Sequence, residues 1–262
     1  MSSGAKSRPK TRDGIALAAL AGVLLVMPVQ HALGEWRGAL LVTIGFAVGG
    51  WLLRGVNPSG ALAGGLVAFI LYARGGWRMF VVLFAVFALT LCATAAGRGR
   101  KQALGLAEHN SGRSAAQVAA NLFVAAAALV MLPATVAAVV AVAALAEAAA
   151  DTVSSEMGEA FGTQTYLVTT LRPTAPGTNG GVSWVGTLAG IGAAAIVASA
   201  AMGLVVIGRE DALLAGAAGV IGMTVDSVLG ATLENKGYLN NEAVNVVGTA
   251  SAAVVAFVVC QL

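Results

Sequence analysis

"LAEAAADTVSSEMGEAFG", Leu145–Gly162, is the stretch whose reading decides the fold. It follows "ATVAAVVAVAA", Ala134–Ala144, a run of small and β-branched apolar residues without a charge. A bilayer-spanning helix needs about 20 mostly apolar residues. The run 134–150 approaches that length, with Glu147 as its one charged residue. Asp151, Glu156 and Glu159 then follow in quick succession. The residues just before Asp151 are Ala and Leu, not the solubilising residues of a water-facing helix. The stretch therefore reads as a membrane helix that delivers carboxylates to the lipid–water boundary.

Working outward, the composition agrees. Of 262 residues, 58% are hydrophobic and 10% charged, and the mean hydropathy is +0.85. A soluble domain carries roughly 25% charged residues. Glycine is abundant, at 34 residues, and alanine dominates many runs. Small residues let membrane helices approach closely, so the profile is that of an all-α, polytopic helical membrane protein. The net charge of +3 is no sign of a nucleic-acid partner, because the basic residues sit at segment ends, where they set topology. Cys92 and Cys260 lie inside apolar runs, outside any CxxC pair, and read as small buried hydrophobes.

Apolar segments fall near 14–33, 38–54, 60–74, 77–97, 115–132, 134–150, 184–207, 212–230 and 243–261, about nine transmembrane helices in one domain, 1–262. The start, "KSRPKTRDGIALAALAGVLLVMPV", is followed by no A-x-A site. It reads as an uncleaved first helix behind a basic cytoplasmic tail, 1–13. Lys6, Arg8, Lys10 and Arg12 put the N-terminus inside. Counting alternately, the loop bearing Arg98, Arg100, Lys101 and Arg113, the loop 151–183, and "ENKGYLNNE", Glu234–Glu242, all come to the cytoplasmic face. His31 and His109 read as surface or capping residues.

The three loops carry the unusual polar residues. Arg113, Gln117 and Asn121 are spaced by four and share a helix face. Asp151, Ser155 and Glu156 stand at the membrane boundary. "RPTAPGTNGGVSWVG", Arg172–Gly186, cannot be regular helix at Pro173 and Pro176, and Gly177, Gly180 and Gly181 admit unusual backbone angles. A glycine-rich turn that opens a helix aims backbone N–H groups at an anion, and Thr178, Asn179 and Ser183 add polar groups. Asp226, followed by Ser227, interrupts an apolar run, and an acid inside a span marks function by default. Taken together, Asp151, Glu156 and Asp226 are expected to hold Mg²⁺, which takes hard oxygen ligands and shares its shell with phosphates. The glycine turn is expected to cradle phosphates, with Arg113 and Lys101 neutralising a phosphoryl group. Alternative readings are a solvated helix end, a flexible connector and a snorkelling arginine. The Ala/Gly-rich helices around 187–205 and 212–225 are expected to leave a groove for a lipid chain.

The stretches "KQALGLAEHNSGRSAAQVAAN", "ADTVSSEMG", "PGTNGGVSWVGTLAGIGA" and "DSVLGA" resemble, in order, the integral membrane family called domain of unknown function 92. That family includes eukaryotic transmembrane protein 19 and plant phytyl-phosphate kinase. It is distantly similar to the CTP-using phytol and dolichol kinases and phosphatidate cytidylyltransferase. Their Asp-bearing helix, Gly-rich loop and later Asp-Ser helix would match Asp151, Gly177 to Ser183, and Asp226 with Ser227. The resemblance implies Mg²⁺-dependent phosphoryl transfer from a nucleoside triphosphate, CTP ahead of ATP or UTP, to an isoprenoid monophosphate or alcohol such as phytyl phosphate. It implies partners in a prenyl lipid and the surrounding membrane lipids, in a bacterial-type inner membrane with a cytoplasmic active site. A homodimer is allowed. The rival reading is an ion-coupled transporter or flippase, which should show related halves; no internal repeat stands out.

Overall fold

The computed structural model describes residues 9–25, 33–107 and 112–262; His31 and His109 lie outside them. The chain runs α1 (Pro9–Leu25), α2 (Leu33–Leu52), α3 (Pro58–Ala95), a short α4 (Arg98–Ala103), α5 (Ala115–Met131) and α6 (Ala134–Phe161). Three short strands follow: β1 (Thr165–Leu167), β2 (Pro173–Thr174) and β3 (Gly181–Val182). Then come α7 (Trp184–Gly203), α8 (Arg209–Leu229) with a π-helical turn (Gly230–Glu234), and α9 (Asn241–Val259). Five helices are long and apolar enough to cross a membrane: α3, α6, α7, α8 with its extension, and α9. The apolar stretches Trp36–Leu52 and Ala115–Met131 are shorter.

Helix α3 is a hairpin. Gly76 takes φ 75°, ψ 176° inside it, a conformation that glycine adopts without steric cost. Both arms return to one place: Gly60 packs against the Arg113 backbone, and Thr94 receives the Arg113 guanidinium at 3.5 Å. The expected segments 60–74 and 77–97 are these two arms.

Helix α6 is the axis of the bundle. Every residue from Val139 to Ala150 is buried, against α3, α5, α7, α8 and α9. Alanine and valine suffice as core here because the neighbours approach closely through small residues. A methyl group on Gly219 of α8 would meet Ala146 at 2.9 Å, and one on Gly190 of α7 would meet the Ala150 carbonyl at 2.8 Å.

The polar loops converge on one end of this bundle. The backbone N–H of Ala116 donates to Asp13 at 3.0 Å, and Arg12 pairs with Glu242 at 3.2 Å. Arg100 donates to the Ala160 and Gly162 carbonyls. Asn235 donates to the Asn179 carbonyl at 3.1 Å. Side-chain helix caps gather there too: Asn57, Ser114, Ser183 and Asn240 accept from the first turns of α3, α5, α7 and α9, satisfying N–H groups that a helix leaves without partners. Helices α6 and α8 start at the other end, at Pro133 and Gly208, without side-chain caps.

Candidate functional site

The site is built where α6 emerges at the polar end. Successive residues on a helix are about 100° apart, so Asp151, Ser154, Ser155 and Gly158 face one side. Helix α8 brings Asp226 and Ser227 to the same side. A cavity of about 370 Å³ lies between them, lined also by Glu159, Thr187, Glu234 and the turn Gly177–Ser183. The side chains of Asp151 and Asp226 lie close together in it, although they belong to helices far apart in sequence. Asp226 Oδ2 is buried without a partner. The charged side chains of the cavity are all acidic: Asp151, Glu159, Asp226 and Glu234. Arg113 stands near enough for its charge to act on Asp151.

The glycine turn is held over this cavity by a sheet that no helix periodicity foretells. Strand β1 pairs antiparallel with β2 and β3 in the order β2-β1-β3, with Tyr166 opposite both Pro173 and Val182. Gly177 and Gly180 have φ of 78° and 72°. Side chains at either would collide, Gly177 with Leu106 and Gly180 with Ala231, so glycine is needed for both conformation and close approach. Thr178 is engaged inside the turn, with its hydroxyl donating to the Ala175 carbonyl at 2.7 Å. Ser183 is buried and caps α7, accepting from the Gly186 N–H at 3.1 Å. Gly181 and Asn179 line the cavity wall.

Glu156 and Lys101 lie elsewhere. Five residues along a helix is a rotation of about 140°, which turns Glu156 away from Asp151. Its carboxylate accepts from Lys101 Nζ at 2.6 Å and from the Thr94 hydroxyl at 2.8 Å. The Lys101 ammonium, 1% exposed, also donates to the Ala93 and Thr94 carbonyls. The three-carboxylate grouping expected from sequence is thus Asp151 with Asp226, and Glu156 on another face. Among the described residues no three His, Cys, Asp or Glu side chains form a metal-holding group.

One carboxylate sits where sequence reasoning placed none. Glu147 lies one turn below Asp151, fully buried, with neither oxygen partnered. It fills a slot that Gly222 and Gly248 leave open: a side chain on Gly222 would strike Glu147 Cγ at 2.6 Å, and one on Gly248 would strike its Oε1. Its spacing of four from Asp151 was the available signal. Glu159 and Glu234 also line the acidic cavity.

Two further cavities adjoin the bundle. Arg113, Gln117 and Asn121 do share a face, and it lines a space of about 260 Å³ among α2, α3, α5 and α6, walled by Phe46, Phe87 and Leu122. Gln117 is also the partner of Ser114 in a capping box, and Asn121 donates to the Gln117 carbonyl at 2.9 Å. A second space of about 350 Å³ lies between α7 and α8, from Ile191 to Met202 and from Arg209 to Val220, and Asp151 is not in its lining.

Fold and site together define a helical integral membrane protein with an acid-lined, glycine-turned cavity at one end of its bundle. The chain belongs to the integral membrane protein family DUF92, whose model matches residues 41–254. It is 34% identical over 202 residues to the "Uncharacterized membrane protein sll0875" of Synechocystis sp., covering 73% of this chain and 77% of that one. It is 29% identical over 279 residues to "Protein VTE6, chloroplastic" of Arabidopsis thaliana, covering 100% and 84%. It is 31% identical over 216 residues to the "Uncharacterized membrane protein MJ0933" of Methanocaldococcus jannaschii, covering 80% and 88%. No solved structure matches the chain.

Proposed function

We propose that the chain is a membrane-embedded lipid kinase. It would transfer the terminal phosphoryl group of a nucleoside triphosphate, with CTP favoured, to an isoprenoid monophosphate or alcohol. The observation that carries this reading is the meeting of Asp151 and Asp226 beneath the glycine turn, in a cavity whose charged lining is entirely acidic. Such a cavity repels a bare polyphosphate and attracts one that arrives with divalent cations. Asp151 and Asp226 offer hard oxygen donors, and the buried, unpartnered Asp226 Oδ2 fits a cation ligand. Two carboxylates with substrate phosphates and water make a sufficient Mg²⁺ site. When bound there, Mg²⁺ would supply positive charge to the phosphate oxygens.

The chain's own groups orient and enclose. The turn Gly177–Gly181 brings backbone close to the cavity, and the first turn of α7 at Gly186 and Thr187 adds the positive end of a helix. Arg113 contributes a fixed charge beside Asp151. In the reaction the acceptor oxygen, an alcohol first giving up its proton to water, bonds to the terminal phosphorus while the bond to the bridging oxygen breaks. The nucleoside diphosphate leaves with the electron pair. Such transfer is chiefly positioning and charge neutralisation, and these groups supply both. The cytoplasm is the side on which this end of the bundle would meet nucleotide.

The test is to incubate purified protein with radiolabelled CTP or ATP, Mg²⁺, and a panel of prenols and prenyl monophosphates. Label should appear in a prenyl phosphate and vanish on chelation. Protein that holds its fold and transfers label from no nucleotide to any member of the panel would remove the kinase reading.

A further inference from the structure

We propose that the cavity among α2, α3 and α5 is the acceptor site, taking a single-chain lipid with a phosphate head at Arg113, Arg98 and Arg54 and its hydrocarbon tail against Phe46 and Phe87. The inference rests on the kinase reading for its direction and on the cavity for its substance. Arg54, Arg98 and Arg113 all line this space at the polar end of the bundle. Val56 and Arg113 are bridged backbone to backbone, which fixes the Arg54 loop beside Arg113. Beyond the arginines the walls are mostly apolar, broken by Gln117, Asn121 and threonines, with Phe46 stacked edge to face on Phe87 at 5.2 Å between ring centroids. A cavity with cations at one end and aromatic and aliphatic walls beyond complements an anionic amphiphile.

Its position relative to the acidic cavity is what a two-substrate reaction needs. Ala148 and Thr152 of α6 line the arginine cavity, while Asp151 and Ser155 line the acidic one. The two spaces therefore flank adjacent faces of one helix, with Arg113 and Asp151 at their border. Their charges divide the substrates: the acidic side takes the cation-bearing triphosphate, the arginine side the lipid phosphate.

The cavity between α7 and α8, where a lipid groove was expected, has the opposite polarity. Its cation is Arg209, at the first residue of α8 and hence at the end of the bundle away from Asp226. A phosphate head drawn to Arg209 would lie across the membrane from the acidic pair.

Two matched substitutions separate the sites. A methyl group on Gly64 would find its nearest neighbour, Val118, at 4.0 Å, and one on Gly216 would find Ala198 at 3.4 Å, so both positions, which line the two cavities, have room for a Cβ from which a leucine can extend. Equilibrium binding of a tritiated C20 prenyl monophosphate to detergent-purified protein is the readout. Gly64→Leu should raise the Kd at least about tenfold, about 1.4 kcal/mol, while Gly216→Leu leaves it unchanged. Inorganic phosphate should not displace the lipid, which separates a lipid site from a phosphate site. The thermal shift produced by nucleotide with Mg²⁺ should persist in Gly64→Leu. A second measurement uses the unaltered chain: the same lipid with a photoreactive tail should crosslink to peptides of α2 and α3. The proposal is overturned if Gly216→Leu, and not Gly64→Leu, weakens binding, if the crosslink falls on α7 and α8, or if inorganic phosphate competes. Binding in the arginine cavity without transfer from any nucleotide would sink the kinase reading and leave this site standing. Transfer with the crosslink on α7 and α8 would do the reverse.

Discussion

Asp226 and Lys101 show how burial assigns opposite work to two charges. Asp226 stands near Asp151 and holds Oδ2 buried and unpartnered beside Gly248. A buried unpartnered oxygen costs stability, about 1–3 kcal/mol in soluble proteins, and a bound cation would offset that cost. Asp226→Asn should leave the melting temperature intact or raise it, while divalent-dependent transfer falls by about 100-fold or more, the scale on which loss of one charge-stabilising group acts. Melting in detergent beside an initial-rate assay checks both, and wild-type rates would remove Asp226 from the proposed chemistry. Lys101 is different, because all of its donors are spent inside the protein, on Glu156 and two carbonyls. Breaking a buried pair from one side costs about 3–5 kcal/mol. Lys101→Met should therefore lower the melting temperature sharply, and Lys101→Met with Glu156→Gln should recover much of the loss. A stable Lys101→Met with weakened nucleotide binding would return Lys101 to phosphate duty.

At the scale of elements, α6, α8 and α9 meet around Glu147, and the fit depends on Gly222 and Gly248. A methyl group on Gly222 would approach Glu147 Cγ at 2.6 Å and the Gly248 carbonyl at 2.7 Å, and the second contact is backbone that cannot rotate aside. Gly222→Ala should destabilise the bundle by about 1–3 kcal/mol, the usual cost of overpacking, and pairing it with Glu147→Ala should restore only part. Thermal unfolding of the two variants is the check, and an unaffected Gly222→Ala would show that α8 and α9 separate freely. The helices were legible because long apolar runs admit few alternatives in lipid; even the hairpin of α3 showed as two segments flanking Gly75 and Gly76. The sheet was not, since strands of two and three residues carry no alternation to detect. Asp151, Asp226 and the glycine turn were legible as polar interruptions of apolar sequence. The Lys101–Glu156 pair was not, because nothing local in either stretch names its distant partner, and the rotation that parts Glu156 from Asp151 matters only once the helix has neighbours.

The whole molecule is polarised, with its polar segments gathered at one end. The start of α1 at Arg12 and Asp13, the Arg54 loop, the segment around α4, the sheet with its glycine turn, and the π-helical turn before α9 touch one another at one end. The turn between α7 and α8 lies at the other. This arrangement follows from helix lengths: each span carries the chain across once, and the hairpin of α3 brings it back. Lys/Arg enrichment of the polar end is the ground on which we propose that this end faces the cytoplasm. In a chain with Cys92 and Cys260 replaced by serine, single cysteines at the exposed positions Gly99, Thr170 and Tyr238 should be labelled by a membrane-impermeant maleimide only in inside-out vesicles. A cysteine at Val205, equally exposed, should be labelled only in right-side-out vesicles. Gly99 and Thr170 sit on segments that the Arg100 contacts with Ala160 and Gly162 tie to the same end, so they must behave alike whichever way the protein inserts. Opposite labelling of those two would break the bundle as described. Shared labelling from outside would keep the bundle and turn the acidic cavity away from cytoplasmic nucleotide, leaving the kinase without its donor.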